Sequence, residues 1–273
     1  MLTNVKRIVR AWEQQGRYTA LTRLLTYVWI QLNSIHDWLH AGSTKTALDQ
    51  DRLPHAPEDA VREIVEGDVG KSVRPMQVTR ELASFIGNVA AKSPKRVLEI
   101  GTARGGTLLL LCRFAADDAT IVSVDLPFGR NGGGYPSWKQ GFYRRFAKAG
   151  QSLHLVRGNS HGPDTLMQVQ SIFRGEPIDV IFIDADHSYE GVKTDFFSYG
   201  ALAASDGMIA LHDVLPNLND PSIDVNRFWK ELESDQRLRT KLIAASLDQG
   251  HSGIGVVYLQ GPLNKSEQPR ENS

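Results

Sequence analysis

A chain of 273 residues is long for one average domain and short for two, so one large domain with appendages is expected. Its 41% hydrophobic content suits a globular protein with a sizeable core, and its formal net charge of zero argues against a nucleic-acid binder held by bulk charge. The single cysteine, Cys112, excludes an internal disulfide and reads as a buried, inert thiol in an apolar run.

In chain order, Val5, Ile8, Val9 and Trp12, then Leu21, Leu24, Leu25, Val28 and Trp29, recur at near-helical spacing. This predicts one or two helices over residues 1–40. Lys6, Arg7, Arg10, Arg17 and Arg23 against Glu13 and Asp37 leave the stretch at +3. Such helices could pack on the domain, on a second copy in a homo-oligomer, or peripherally on an anionic membrane. No signal-like apolar core follows the first basic residues, and no apolar run is long enough to span a bilayer, so a cytoplasmic location is expected. Residues 41–60 are polar with Gly and Pro and read as a linker. Residues 1–70 are therefore taken as a helical extension and linker.

A helix is expected over residues 75–91. Strands are expected at 96–100, 120–125, 152–157, 178–184, 207–212, 239–246 and 253–259, with helices between most of them. This alternation predicts an α/β domain over residues 71–262, its mostly parallel sheet covered by helices on both faces. The last two strands lie too close for a parallel crossover and should form an antiparallel C-terminal hairpin at the sheet edge. Residues 263–273 are polar and read as a disordered tail.

Two stretches carry chemistry. In RVLEIGTARGGTLLLL (Arg96–Leu111) a buried-strand pattern ends in glycines and passes into a leucine-rich helix. Such a turn lets the backbone approach a nucleotide and aims free N–H groups at it. The spacing is Glu99-x-Gly101-x-x-x-Gly105, not the G-x-G-x-x-G of a dinucleotide fingerprint. A carboxylate at the strand end repels a pyrophosphate and suits a cationic amino-acid ligand with hydroxyls. The second stretch, IDVIFIDADHSYEGVKTDF (Ile178–Phe196), is closed by GMIALHDV (Gly207–Val214). Ligands of open α/β sheets bind beyond the carboxyl ends of the strands. There Asp125 can accept hydrogen bonds from both ribose hydroxyls, the alternative being a turn residue before Pro127. Neighbouring strands lie about 5 Å apart, so Asp184, His212 and Asp213 should meet.

The first stretch resembles motif I of the class I S-adenosylmethionine (SAM) methyltransferases. EIGTARGGT and FIDADHSYEGVKTDF are similar to the subgroup containing the cephalosporin-hydroxylase-like proteins and the sugar and macrolide O-methyltransferases. The resemblance runs roughly from Val73 to Leu259 and implies a Rossmann-like seven-stranded sheet. It implies SAM as cofactor, held by Glu99, Gly101, Thr102, Gly105, Asp125, Asn159 and Asp184, with Asn159 at the adenine. For Asn159 and Ser160 a helix N-cap is the alternative, and for Glu99 a carboxylate bracing the glycine turn. The resemblance further implies a divalent metal on Asp184, His212 and Asp213, and His187 as catalytic base. His212 departs from the family's usual carboxylate. An imidazole favours Mn²⁺, Fe²⁺ or Zn²⁺ over Mg²⁺, or a metal-free site with His212 itself as base. Asp184 and His212 thus join His187 as catalytic candidates.

The implied activity is methylation of a hydroxyl on a small molecule or sugar moiety. No nucleic-acid partner is expected, since the N/D-P-P-Y/F sequence of amino-methylating enzymes is missing. A protein-directed methyltransferase and a non-catalytic SAM-binding protein stay open as alternatives. The loop and basic aromatic helix over residues 128–150 read as a mobile lid or acceptor wall, with Tyr135 and Trp138 as contacts, or as a surface loop whose aromatics pack underneath. The segment after Asp213 reads as a second wall.

Overall fold

The computed structural model describes residues 17–127 and 134–263. Eight α-helices lie in these residues: α1 (Arg17–Asp49), α2 (Pro57–Val65), α3 (Thr79–Lys92), α4 (Gly106–Phe114), α5 (Lys139–Tyr143), α6 (Pro163–Phe173), α7 (Tyr189–Gly200) and α8 (Val225–Ser234). The strands are β1 (Arg96–Ile100), β2 (Thr120–Asp125), β3 (Ser152–Arg157), β4 (Ile178–Ile183), β5 (Ala203–His212), β6 (Arg239–Ile243) and β7 (Ile254–Tyr258). They form one seven-stranded sheet in the order β3-β2-β1-β4-β5-β7-β6. The first five strands are mutually parallel. β7 runs antiparallel to both β5 and β6, so the expected C-terminal hairpin stands at one edge of the expected sheet.

Period-two alternation assigns each face its core. Val97, Val180, Phe182, Met208 and Ala210 pack with Val61, Ile64, Phe85 and Leu108–Leu111 under α2, α3 and α4. Leu98, Ile100, Ile181, Ile183, Ile209 and Leu211 pack with Val169, Phe196, Phe228 and Trp229 under α6, α7 and α8. Cys112 lies in the first cluster, fully buried. The strand order reverses between β2-β1 and β4-β5, and the carboxyl ends of β1 and β4 open side by side there: Asp184 N–H still donates to Ile100 O at 2.8 Å.

Several boundaries differ from expectation for physical reasons. α3 starts at Thr79, not residue 75, because Val78 is extended. β5 starts at Ala203, not residue 207, because a register shift between Ile178 and Val180 carries pairing through the polar Ser205–Asp206. β6 ends at Ile243 because buried Glu81 of α3 takes the next backbone groups. Its Oε1 accepts from Ala245 N–H (3.1 Å) and its Oε2 from Gly253 N–H (3.0 Å), so one carboxylate ties the hairpin loop to α3.

The largest correction concerns residues 41–60, which are not a linker. α1 runs through them to Asp49, and α2 follows from Pro57. Asp37, Thr44 and Ala47 of α1, and Ala60, Val61 and Ile64 of α2, are buried. Of the helices expected in residues 1–40, those before Arg17 lie outside the described residues, as does the tail from residue 264. Among the described residues, no helix is long and apolar enough to cross a membrane.

Candidate active site

The glycine loop is built as its spacing requires. Gly101 has φ +102°, and a Cβ there would lie 1.9 Å from the Asp184 carbonyl oxygen. Gly105, at φ +91°, caps α4, and a Cβ there would meet the Tyr143 ring at 2.6 Å. Both positions thus need glycine for close approach by the protein itself as well as for a ligand. Between them Ala103 is held at φ +44°, a conformation that costs a non-glycine residue free energy and needs outside support.

That support comes in part from Asp125. Its Oδ2 accepts from Ala103 N–H (3.0 Å) and its Oδ1 from Gly134 N–H (2.9 Å). Burial pushes the Asp125 carboxyl up to about 7, against the pull of these bonds and of Arg157. Glu99 is fully buried on the same face. Ser123 Oγ donates to its Oε2, and Thr102 Oγ1 is 2.6 Å from Ser123 Oγ. Burial raises Glu99 to about 8, and its Oε1 has no hydrogen-bond partner among the described residues. An unpaired buried oxygen beside an open glycine turn, with an acid at the end of the next strand, fits a cofactor bearing an ammonium group and a ribose.

The second cluster forms where β4 and β5 end. Asp184, His212 and Asp213 each present a ligand atom, all within 4.8 Å of one another. His212 Nδ1 is 3.2 Å from Asp184 Oδ1 and 3.4 Å from Asp213 Oδ1. Neither ring nitrogen of His212 makes an aligned hydrogen bond among the described residues, although the ring is buried. His187 bridges the same two acids, with Nε2 3.3 Å from Asp184 and Nδ1 3.3 Å from Asp213. Asp213 has φ +61°, a second strained non-glycine position at this end of the sheet. Two carboxylates and a buried imidazole are a donor set that fits a divalent transition metal.

The electrostatics alter one sequence expectation. Burial pulls both histidines toward neutrality, but the two acids outweigh it. His187 is raised above its ordinary value, and His212 well above. Burial would raise Asp184, but His212 and His187 hold it well below the usual carboxylate range. The sequence alone suggests a base at position 187 with an ordinary histidine pKa; in the fold the flanking carboxylates favour its protonated form.

Asn159 follows the end of β3, as expected. It is exposed, and its side chain accepts from His161 N–H (3.1 Å). It is not an N-cap, and neither is Ser160, since α6 starts at Pro163 after Gly162. Tyr135 is buried edge-on against Tyr143, with ring centroids 4.9 Å apart, and Trp138 donates to Ser34 Oγ of α1. These aromatics pack underneath and do not line an open wall. Of the expected lid, residues 128–133 lie outside the described residues, and its helix is the short α5. The segment after Asp213 is tied to the site, with Asp224 N–H donating to His187 O at 2.8 Å.

Sequence reasoning misses Gln77. It is buried before α3, donates from Nε2 to Asp184 Oδ2 at 2.5 Å, and accepts from Thr107 Oγ1 of α4 at 3.4 Å. No motif announces it, because the contact spans 107 positions.

Residues 98–214 match the family model of a methyltransferase domain. No curated protein matches the chain. Among solved structures, an O-methyltransferase from Bacillus cereus in complex with SAH is similar at 19% identity and TM-score 0.52, over 72% of this chain and 90% of that one. A cofactor-bound protein from MTB is similar at 21% identity and TM-score 0.53, over 76% and 87%. An O-methyltransferase from Streptomyces achromogenes involved in tomaymycin synthesis, in complex with SAM, is similar at 17% identity and TM-score 0.50, over 75% and 90%. At such identities the likeness establishes a shared fold. Residues 98–214, the part that matches the methyltransferase family model, hold the glycine loop and the switch point of that sheet.

Proposed function

We propose that the protein methylates a hydroxyl oxygen of a small molecule or sugar moiety, assisted by a divalent metal. The observation that carries this reading is the part-buried Asp184–His187–His212–Asp213 cluster at adjoining strand ends beside the glycine loop. The O-methyltransferase neighbours agree with it.

SAM, when bound, supplies an already activated methyl group, so the protein needs no covalent intermediate. Gly101, Thr102 and Gly105 shape the loop that would receive it, Asp125 would face the ribose, and Glu99 the cationic end. Asn159, exposed just after β3, would pair with the adenine amino edge. Asp184, His212 and Asp213 would hold a metal, which supplies positive charge to acidify and orient the acceptor hydroxyl. Gln77 fixes the second oxygen of Asp184. His187 would take the hydroxyl proton at a ring nitrogen, once that nitrogen is free of its carboxylate. His212 as metal ligand favours Mn²⁺, Fe²⁺ or Zn²⁺.

The test is SAH formation with a panel of sugar, phenol and polyketide hydroxyl acceptors, with chelator and after returning each ion. Turnover that needs an added ion supports the reading. Full turnover in chelator, lost only in His212→Ala, replaces the metal with His212 as base. Methylation of a protein and of none of the small hydroxyls replaces the acceptor class.

The N-terminal helix favours a second copy as its partner. Val28, Leu32, Ile35 and Leu39 are exposed along α1 at the 4-3-4 spacing of a helix–helix seam, and no Lys or Arg lies between Arg23 and Lys45 to meet an anionic surface. Sedimentation should show a dimer that Leu32→Glu with Leu39→Glu dissociates. A wild-type monomer that floats with anionic vesicles would assign the stripe to a membrane.

A further inference from the structure

The glycine loop has a rear wall whose buried acid comes from outside the matched residues 98–214. Asp37, on α1, is only 2% exposed. One of its oxygens is paired with the guanidinium of Arg104, inside the loop, and the other lies 2.6 Å from Lys139 Nζ of α5. Lys139, 1% exposed, also donates to the carbonyls of Ser72 (3.1 Å) and Arg104 (3.3 Å). Arg104 reaches Lys71 O at 3.1 Å. The preceding loop carbonyl, Ala103 O, accepts from Tyr143 OH at 3.2 Å. Two successive carbonyls and one side chain of the loop are therefore fixed from behind, at the residue whose backbone is strained.

The charges make α1 indispensable to this arrangement. Two cations share one buried carboxylate. Removing that carboxylate would leave Arg104 and Lys139 as neighbouring like charges with poor access to water, a much costlier state than the intact pair. Burial already draws the Lys139 ammonium down to about 8, with Arg104 adding to the fall and Asp37 opposing it. α1 is itself held in register by Thr44, which lies 2.7 Å from Ser72 Oγ.

We propose that Asp37 is a positioning residue for cofactor binding: through Arg104 and Lys139, the N-terminal helix holds loop 101–105 in its receptive conformation. The consequence for affinity rests on the SAM reading of that loop, whereas the consequence for loop order does not. A tie that served stability alone would leave the loop unchanged once the protein is folded.

The experiment uses the full chain and two readouts, hydrogen exchange over residues 101–107 without cofactor and calorimetric titration with SAH. Asp37→Asn should speed exchange in that window and raise Kd about tenfold, a loss of ~1.4 kcal/mol of binding free energy. KM for SAM should rise more than kcat falls. Asp37→Asn with Lys139→Met should recover part of the affinity, because one unpaired charge is gone. Arg104→Lys keeps a cation but loses the fork, and provides a milder variant should Asp37→Asn fold poorly; it should move both readouts the same way. A lower melting temperature with unchanged exchange and unchanged Kd in these variants overturns the proposal. If the wild type binds no SAH, the cofactor reading fails, and exchange alone decides whether α1 orders the loop.

Discussion

His187 and His212 are each wedged between the same two acids, and this sets a constraint on any base catalysis here. A general base must be unprotonated, yet Asp184 and Asp213 raise His187 above its ordinary value. The rate should therefore rise with pH through a histidine limb, placed above the reference value of about 6.5 where those acids are free and lower where a cation neutralises them. His187→Ala should remove that limb and lower kcat by roughly 10²–10⁴. A pH–rate profile for wild type and variant checks both; a limb that persists unchanged in His187→Ala would move the base elsewhere. The four residues of this cluster are readable in the sequence because each closes a strand or follows one closely, and parallel neighbours bring strand ends together. Gln77, Asp37 and Lys139 are not readable. Their contacts join segments far apart in the chain, and a lone Gln, Asp or Lys in a polar stretch looks like solvated surface.

The elements show why the glycine loop and the N-terminal helix differ so much in legibility. The loop is punctuated by residues that only one backbone geometry explains. A methyl group at Gly101 would strike the Asp184 carbonyl, and its φ disfavours any side chain, so Gly101→Ala should cost more than ~3 kcal/mol and disturb both clusters at once. Gly87, in the middle of α3, has nothing within 4 Å of the place a methyl group would take, and should behave oppositely. Gly87→Ala should stabilise by about 0.5–1 kcal/mol through helix propensity and a less flexible unfolded chain. Denaturant titration of the two variants tests the contrast, and equal effects would contradict it. The second half of α1, by comparison, buries Asp37, Thr44 and Ala47 while exposing Leu39 and Trp38. Its inward stripe is small and polar, so hydrophobic periodicity points the wrong way and the segment passes for a linker. The sheet itself is readable in order and direction, since apolar runs of strand length separated by helical stretches admit few topologies. Its ends are not, because Glu81 and one register shift decide them.

Across the whole chain, burial of acids on one face of the sheet couples the site to stability. Glu99 is raised to about 8 and Asp125 to about 7, both by burial. Unfolded carboxyls titrate near their reference values of about 4, so the folded protein holds these protons longer. The stability this contributes is fully present below about pH 4 and is lost as pH rises through about 7 to 8. The raised histidines act in the same direction, their contribution being complete below about 6.5 and lost above their folded values. Asp184 acts oppositely, but its depressed value confines its effect to acid solution. The ligand-free protein should therefore melt at progressively lower temperature from about pH 5 to pH 8, with the raised histidines adding to the fall above about 6.5. Glu99→Gln keeps a neutral group of the same shape and should flatten this decline. Even one surviving unit of the Glu99 shift, ~1.4 kcal/mol, corresponds to roughly 2–4 °C in a domain of this size. Melting curves at half-unit pH intervals for both proteins measure the difference. Parallel curves would mean that Glu99 ionises as freely in the folded chain as in the unfolded one, and that its unpaired oxygen is reached by water.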